Sequence, residues 1–269
     1  MVVNSEIYAS VAQTGPLALR GFFERTSVLT ALFIIGSVPL SVSAWGASSP
    51  SGSGALTSCL KAASDQQSVH VKSVTSGLEV SAAAKTRAAV SLTTDALKAS
   101  GIQKVSFTQG AETGHEVVEL VGNVGYFEGD AFTLTNFNGF SSAAVKGDAK
   151  TWISVSKSSP AFASLTSSLT VSSVVAQLNV PSPVSVATGK KVNGNPAVTV
   201  GGTVTVQGVK THIALLCQAR GTLLPMKETI DSDRSDSSAT FSRWGESISV
   251  EAPTHVISLA AAESSKEAA

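Results

Sequence analysis

From Ser68 the chain alternates apolar and polar positions, with Val69 and Val71 set against His70 and Lys72. A period of two places successive side chains on opposite faces of a strand. Leu78-Glu-Val80 and Ala88-Ala-Val-Ser-Leu92 continue in extended form, although Ala82-Ala-Ala84 fits a helix equally well. Further strands are predicted at Val105-Ser-Phe107, Val117 to Val121 and Val124 to Glu128, the last two joined by a tight turn at Gly122-Asn123. Before the alternation, residues 56–67 predict a short helix with Leu56, Cys59, Leu60 and Ala63 on one stripe.

The alternation stops at Gly129. Asp130 is placed as an N-cap, and Phe132, Phe137 and Phe140 follow at helical spacing. Residues 141–149 read as helical and polar, Trp152-Ile-Ser-Val155 as a strand, and 160–178 as a loop followed by a helix with Leu169, Val171, Val174, Val175 and Leu178 on its apolar side. Residues 130–178 are thus expected to cover a sheet. After Pro181 and Pro183 the pattern is a meander, with strands expected near 184–192, 196–207, 209–218, 222–231, 237–244 and 246–251. Gly201-Gly202 inside a strand predicts a bulge. The expected fold class is α+β: a single curled antiparallel β-sheet, a half-barrel, with short helices over its concave face.

The first forty-odd residues stand apart. Arg20 and Arg25 precede the apolar run from Val28 to Leu40, and Val42-Ser-Ala44 supplies small residues. That order reads either as a cleaved export signal or as a retained membrane anchor. The chain divides into 1–44 as signal or anchor, 45–55 as a Gly/Ser/Pro linker, 56–258 as the folded domain and 259–269 as a disordered tail. The expected location is extracytoplasmic, in the cell envelope or secreted. Charge is sparse, at 14% of residues, and balanced, with 19 basic and 19 acidic side chains. No electrostatic footprint for nucleic acid exists in such a chain.

Cys59 and Cys217 are the only cysteines. Three readings stand side by side. An even count in an exported chain favours a disulfide, and both residues fall on core-facing phases of their elements. Leu56-Thr-Ser-Cys59 also satisfies the pattern of a bacterial lipobox, which makes Cys59 a candidate for lipidation. Two buried free thiols are the third possibility.

No catalytic set assembles on the sequence. Gly139-Phe-Ser-Ser-Ala143 lacks the last glycine of a nucleophile elbow, and His70, His115, His212 and His255 occur singly. His70 and His212 are expected to face solvent. Asp231-Ser-Asp-Arg-Ser-Asp236 lacks the length and terminal Glu of a calcium loop and reads as a hairpin turn. The expectation is a non-enzyme with no metal and no cofactor.

The order Tyr126-Phe-Glu-Gly-Asp130, then Phe132, Leu134, Phe137 and Phe140, then Trp152-Ile-Ser-Val155, Pro160-Ala-Phe-Ala-Ser-Leu165 and finally Phe241-Ser-Arg-Trp-Gly245 resembles the actinobacterial envelope proteins of the LppX/LprG type, within the wider LolA-like group. The resemblance runs from about 56 to 253 and is clearest over 124–175 and 237–250. It implies a half-open β-sheet cup with helices at the mouth, holding a lipid or another hydrophobic molecule. Cavity candidates on that reading are Phe107, Leu120, Tyr126, Phe132, Phe137, Phe140, Trp152, Ile213, Leu215 and Ile230. The alternative is a structural, interaction or sensor domain of the same fold, filled by its own side chains. The implied partners are a hydrophobic small molecule and, through an N-terminal anchor, the cell membrane.

Overall fold

The computed structural model describes residues 52–81, 86–136, 138, 140, 149–206 and 208–264. The alternating segments form strands β1 (Ser68–Ser81), β2 (Thr86–Leu97), β3 (Ser100–Gln109), β4 (Glu112–Val121), β5 (Val124–Gly129), β6 (Trp152–Ser156), β7 (Ser185–Val192), β8 (Asn195–Val206), β9 (Val209–Gln218), β10 (Pro225–Ser232), β11 (Asp236–Ser242) and β12 (Val256–Ser258). Among the described residues, five short helices accompany them: α1 (Gly52–Ser64), α2 (Ala131–Asn136), α3 (Pro160–Leu165), α4 (Val171–Gln177) and α5 (Leu259–Ser264).

The twelve strands make one open sheet in the order β12-β6-β5-β4-β3-β2-β1-β11-β10-β9-β8-β7. Two meanders, β1–β5 and β7–β11, are joined where β1 pairs antiparallel with β11. All pairs are antiparallel except β12 with β6. The edge strand β7 is exposed along nearly its whole length, carries Lys190 and Lys191, and breaks register between Ala187 and Lys190 around the positive-φ Gly189. Charge and irregularity of this kind discourage another strand from docking there.

Directly paired residues in an antiparallel sheet project to the same side. The buried residues Val118, Phe127 and Ile153 are register partners, as are Val71 with Phe241 and Ile230 with Ile213. All lie on one face, and the helices pack there. α1 stacks Cys59 and Ala63 inward, both fully buried, with Leu56 and Leu60 beside them. α4 adds Val171 and Val174 to the same core, and its C-cap residue Leu178 joins them. A second core gathers Leu120, Phe127, Ile153 and Val155 under Leu134, Ala161 and Leu169.

Several expectations need correction. No strand forms over 246–251; the chain runs on and pairs at 256–258, in parallel, with β6. β11 already has β1 and β10 as neighbours, so the chain leaving it finds no free edge nearby. Gly201 and Gly202 do not form a bulge, since their register with Ala214 and Ile213 is continuous. Gly202 is needed instead because a Cβ there would collide with the carbonyl of Pro181, which lies directly on the sheet. Helix α1 starts at Gly52, so residues 52–55 of the expected linker are helical. The tail starts as a helix, with Ala262 fully buried in the second core. Residues 1–51 and the polar stretch 141–148 lie outside the described residues.

Candidate ligand-binding face

The chain between β6 and β7 crosses the covered face from one side of the sheet to the other. It carries α3, α4 and Pro181, and it rests on glycines. A Cβ at Gly125 would meet Leu165 at 3.0 Å and Thr166 at 3.2 Å. One at Gly101 would overlap the Leu169 carbonyl, and Thr170 bridges to Leu97 alongside. Gly202 receives Pro181 in the same way. Each glycine sits on the covered face; the crossing segment meets the sheet by its backbone at Gly101 and Gly202, and by the side chains of Leu165 and Thr166 at Gly125. Its helices are capped by side chains: Ser159 Oγ accepts from Ala161 N, and Thr170 Oγ1 from Ser173 N.

α2 forms a separate part of the cover. Asp130 caps it as expected, accepting from Thr133 N at 2.8 Å through one oxygen and from His115 N at 2.6 Å through the other. Leu134 is fully buried and lies over Gly129. Asn138, just past the helix, donates to Glu116 at 2.7 Å. Burial pushes the Glu116 carboxyl up to about 7, with the Asn138 hydrogen bond opposing and the Asp130 charge adding to the rise.

On the same face, Leu78, Ala88, Val90, Val105 and Phe107 form a third cluster, with Leu92 at its border. Every member belongs to β1, β2 or β3. The cluster lies beyond the Gly101 seat, toward the opposite end of β3. Further along the face, Glu228 is buried between its register partners Leu215 and Ala239, and burial pushes its carboxyl up to about 8.

The predicted wall residues divide. Phe107, Leu120, Ile213 and Leu215 are buried on the covered face, and Ile230 is half-buried against the same core. Phe140 is buried with its ring 6.1 Å from Phe127. Phe132 is half-buried and packs where a Gly114 side chain would be. Phe137 lies outside the described residues. Tyr126 and Trp152 do not face inward. Tyr126 is paired with Glu119 and Ser154 on the opposite face, and Trp152 shares its phase with Ser154. The inward aromatic of β5 is Phe127, fully buried and one residue on from Tyr126. Its phase was readable from Gly125 and Gly129, the two glycines flanking it at spacing two.

The cysteine question resolves. Cys59 and Cys217 form a disulfide with Cα atoms 6.2 Å apart, tying α1 to β9. A sulfur bonded to Cys217 is not free to carry a thioether, so lipidation of Cys59 is set aside. His70 also departs from expectation: it is on the face opposite the cover but only 7% exposed, bound to Asp95 through Nδ1 and approached by Arg243 at 3.1 Å. Ser242 is its register partner on the other side, yet no hydrogen bond joins the two among the described residues, so no nucleophile–base pair assembles there. His212 is exposed, as expected. A hollow of about 330 Å³ lies apart from the wall residues, where β7, β9, β10 and β11 end. Gln218, Leu224, Met226, Phe241 and Trp244 are among its lining.

No family model matches the sequence, and no curated protein does. Among solved structures, LprF from Mycobacterium bovis matches with a TM-score of 0.50 at 16% identity, over 77% of this chain and 99% of LprF. The Mycobacterium tuberculosis lipoprotein LppX aligns at 16% identity over 76% of this chain and 100% of its own, with a TM-score of 0.47. A DUF1329 family protein from Desulfovibrio piger gives a TM-score of 0.28 at 9% identity, over 76% of this chain and 96% of that one. At such identities the likeness is one of architecture: the chain has the LppX/LprG-type fold.

Proposed function

We propose that this chain is a non-enzymatic envelope protein that holds a lipid or another hydrophobic molecule against the covered face of its sheet. The observation that carries this reading is the strand-built cluster of Leu78, Val90, Val105 and Phe107. It is a broad apolar patch of buried residues on the helix side of the sheet, beyond the seats that fix the crossing segment. On this proposal the sheet curls as its twist accumulates, the face becomes the wall of a half-barrel, and residues 130–178 form its cover. Phe107, Leu120, Ile213, Leu215 and Ile230 supply the wall, and Phe132, Phe137 and Phe140 line the mouth. Binding comes from apolar burial at about 25 cal/mol per Å², offset by the cost of association. The disulfide supports export, because such bonds persist in oxidising compartments. Residues 1–44 then act as signal or anchor, and 45–51 as a tether.

A second reading has its own observation. Val90, Val105 and Phe107 are already buried by protein atoms, at 5%, 6% and 1% exposure, as ordinary core would be. The same fold with a filled interior would serve as a structural or interaction domain. Native mass spectrometry of protein purified from its own envelope separates the two. Lipid carriage gives adducts that organic extraction removes. A single unadorned mass, before and after extraction, refutes carriage and leaves the filled domain.

A further inference from the structure

Charge is balanced over the whole chain but not along it. Acidic side chains stop at Asp148 and return only at Glu228. Residues 149–227 carry no Asp or Glu and seven Lys or Arg. Five of those basic residues, Lys190, Lys191, Lys210, Arg220 and Lys227, fall on the β7–β10 end of the sheet. Lys227 is half-buried and the other four are exposed. Among the described residues none of the five has an ion-pair partner.

Lys190 and Lys191 stand at successive positions on β7, which is the edge strand. Successive strand residues project to opposite sides, so positive charge flanks the edge on both faces of the sheet. Val186, an apolar side chain left 38% exposed, lies on the same strand. The acids of the β10–β11 turn, Asp231, Asp233 and Asp236, begin three strands in from that edge. Three strand spacings are about 14–15 Å, beyond the screening length of about 8 Å at physiological salt. Those acids leave the field of the edge positive.

The N-terminal part of the chain meets the same edge. α1 begins at Gly52, where a Cβ would strike the carbonyl oxygen of Val184 at 2.7 Å and its Cγ1 at 2.9 Å. Val184 directly precedes β7. Residues 1–51, which include the apolar run from Val28 to Leu40, therefore enter beside the start of the edge strand.

We infer that the β7 edge is a docking surface for an anionic phospholipid membrane. Lys190 and Lys191 meet headgroup phosphates on either side of the strand, and Val186 enters the boundary between headgroups and acyl chains. Charge complementarity selects the partner, and the point at which the N-terminal residues enter selects the edge. The inference does not depend on what the covered face holds.

The test uses the full chain with vesicles of phosphatidylcholine alone or of phosphatidylcholine and phosphatidylglycerol in equal parts. The quantity read is the ratio of the partition coefficients onto anionic and neutral vesicles. The apolar run cancels in that ratio, and Arg20 and Arg25 contribute to it equally in every variant. Lys190→Gln combined with Lys191→Gln is expected to lower the ratio about thirtyfold, from about fivefold per lysine at the surface. Lys72→Gln combined with Lys98→Gln removes the same charge from exposed positions on the other meander and is expected to leave the ratio unchanged. A solvatochromic label on Thr188→Cys should shift to the blue on anionic vesicles, whereas one on Ala111→Cys, in the β3–β4 turn, should not. An unchanged ratio in the β7 pair, an equal fall in both pairs, or no shift at Thr188 overturns the docking edge and leaves the ligand-binding reading untouched. A dependence on Lys190 and Lys191 that is seen with soluble polyglutamate but not with vesicles assigns the edge to an acidic protein and overturns the membrane.

Discussion

Replacing Cys59 and Cys217 together by Ala tests how the N-terminal helix is held. The bond closes a loop with a sequence separation of 158 residues. Chain-entropy reasoning assigns about 5 kcal/mol to a loop of that length. Domains are stable by about 5–15 kcal/mol, so the loss takes a large share of the total. At the usual conversion of about 2–4 °C per kcal/mol for a chain of this size, the melting temperature should fall by roughly 10–20 °C. The structure also says where the loss is felt first. α1 has Cys59 and Ala63 as its fully buried residues, and Leu56 and Leu60 are only partly covered. Without the bond it can leave the sheet as a unit before the meanders unfold. Thermal melts with and without reductant give the global term, and amide exchange separates α1 from β9. Accelerated exchange confined at first to residues 52–64 is the expected pattern. A double variant that melts within about 2 °C of wild type, with α1 still protected, would refute the reasoning.

Two other predictions follow from buried groups and close contacts. Glu228 and Glu116 have folded pKa values of about 8 and about 7, both raised from 4.5 chiefly by burial. The native chain therefore holds more protons than the unfolded chain between those limits. Their contribution to stability is fully present below about pH 4.5 and is lost as pH climbs through 7 and 8, each tenfold difference in proton affinity being worth about 1.4 kcal/mol. Melting temperature should drop from pH 5 to pH 9, and Glu228→Gln should flatten the drop; a profile that rises over that interval contradicts the assignment. The neighbouring glycines of β8 should differ in tolerance. Gly202→Ala drives a Cβ into the Pro181 carbonyl and should cost about 1–3 kcal/mol, whereas at Gly201 a Cβ meets its nearest atoms at an ordinary 3.5 Å and should be nearly neutral. Equal melting temperatures for the two variants would mean that the crossing segment does not rest where it is placed.

The strands were legible because a half-buried antiparallel sheet writes its two faces into the sequence at period two. Val69 and Val71, Val118 and Leu120, and Ile213 and Leu215 are all on the phase that alternation assigns, and all are buried. Asp130 and the helical stripe of α1 were legible for the same kind of local reason. The failures come where the deciding contact is distant. Tyr126 and Phe127 are adjacent aromatics, so one had to face away, and aromatic character alone cannot say which. Gly202 looks like a weak point in a strand until Pro181 is laid over it. His70 occupies a polar phase and yet is buried, because Asp95 and Arg243 close over it from neighbouring positions. β12 pairs with β6 across about a hundred residues of chain, and no local pattern anticipates that.

The ties that hold the cover are of unequal kinds, and the difference bears on where a ligand could pass. α1 is fixed covalently through Cys217. The crossing segment meets the sheet at Gly101 and Gly202 by backbone, so lifting it means separating surfaces packed without intervening side chains. α2 is six residues long and is held by the burial of Leu134, the two bonds of Asp130 and the Asn138–Glu116 bond. Short elements with few internal contacts lie at the low end of local stability. One of the ties of α2 also runs to a carboxyl whose pKa is near 7, so its charge state changes close to neutral pH. Among the described residues, the part of the cover with neither a covalent tie nor a backbone seat is the one that borders Phe107 and the strand-built cluster. A route past α2 leads to the apolar wall by lifting Phe132 and Leu134 from Gly114 and Gly129, without disturbing the disulfide or the backbone seats at Gly101 and Gly202.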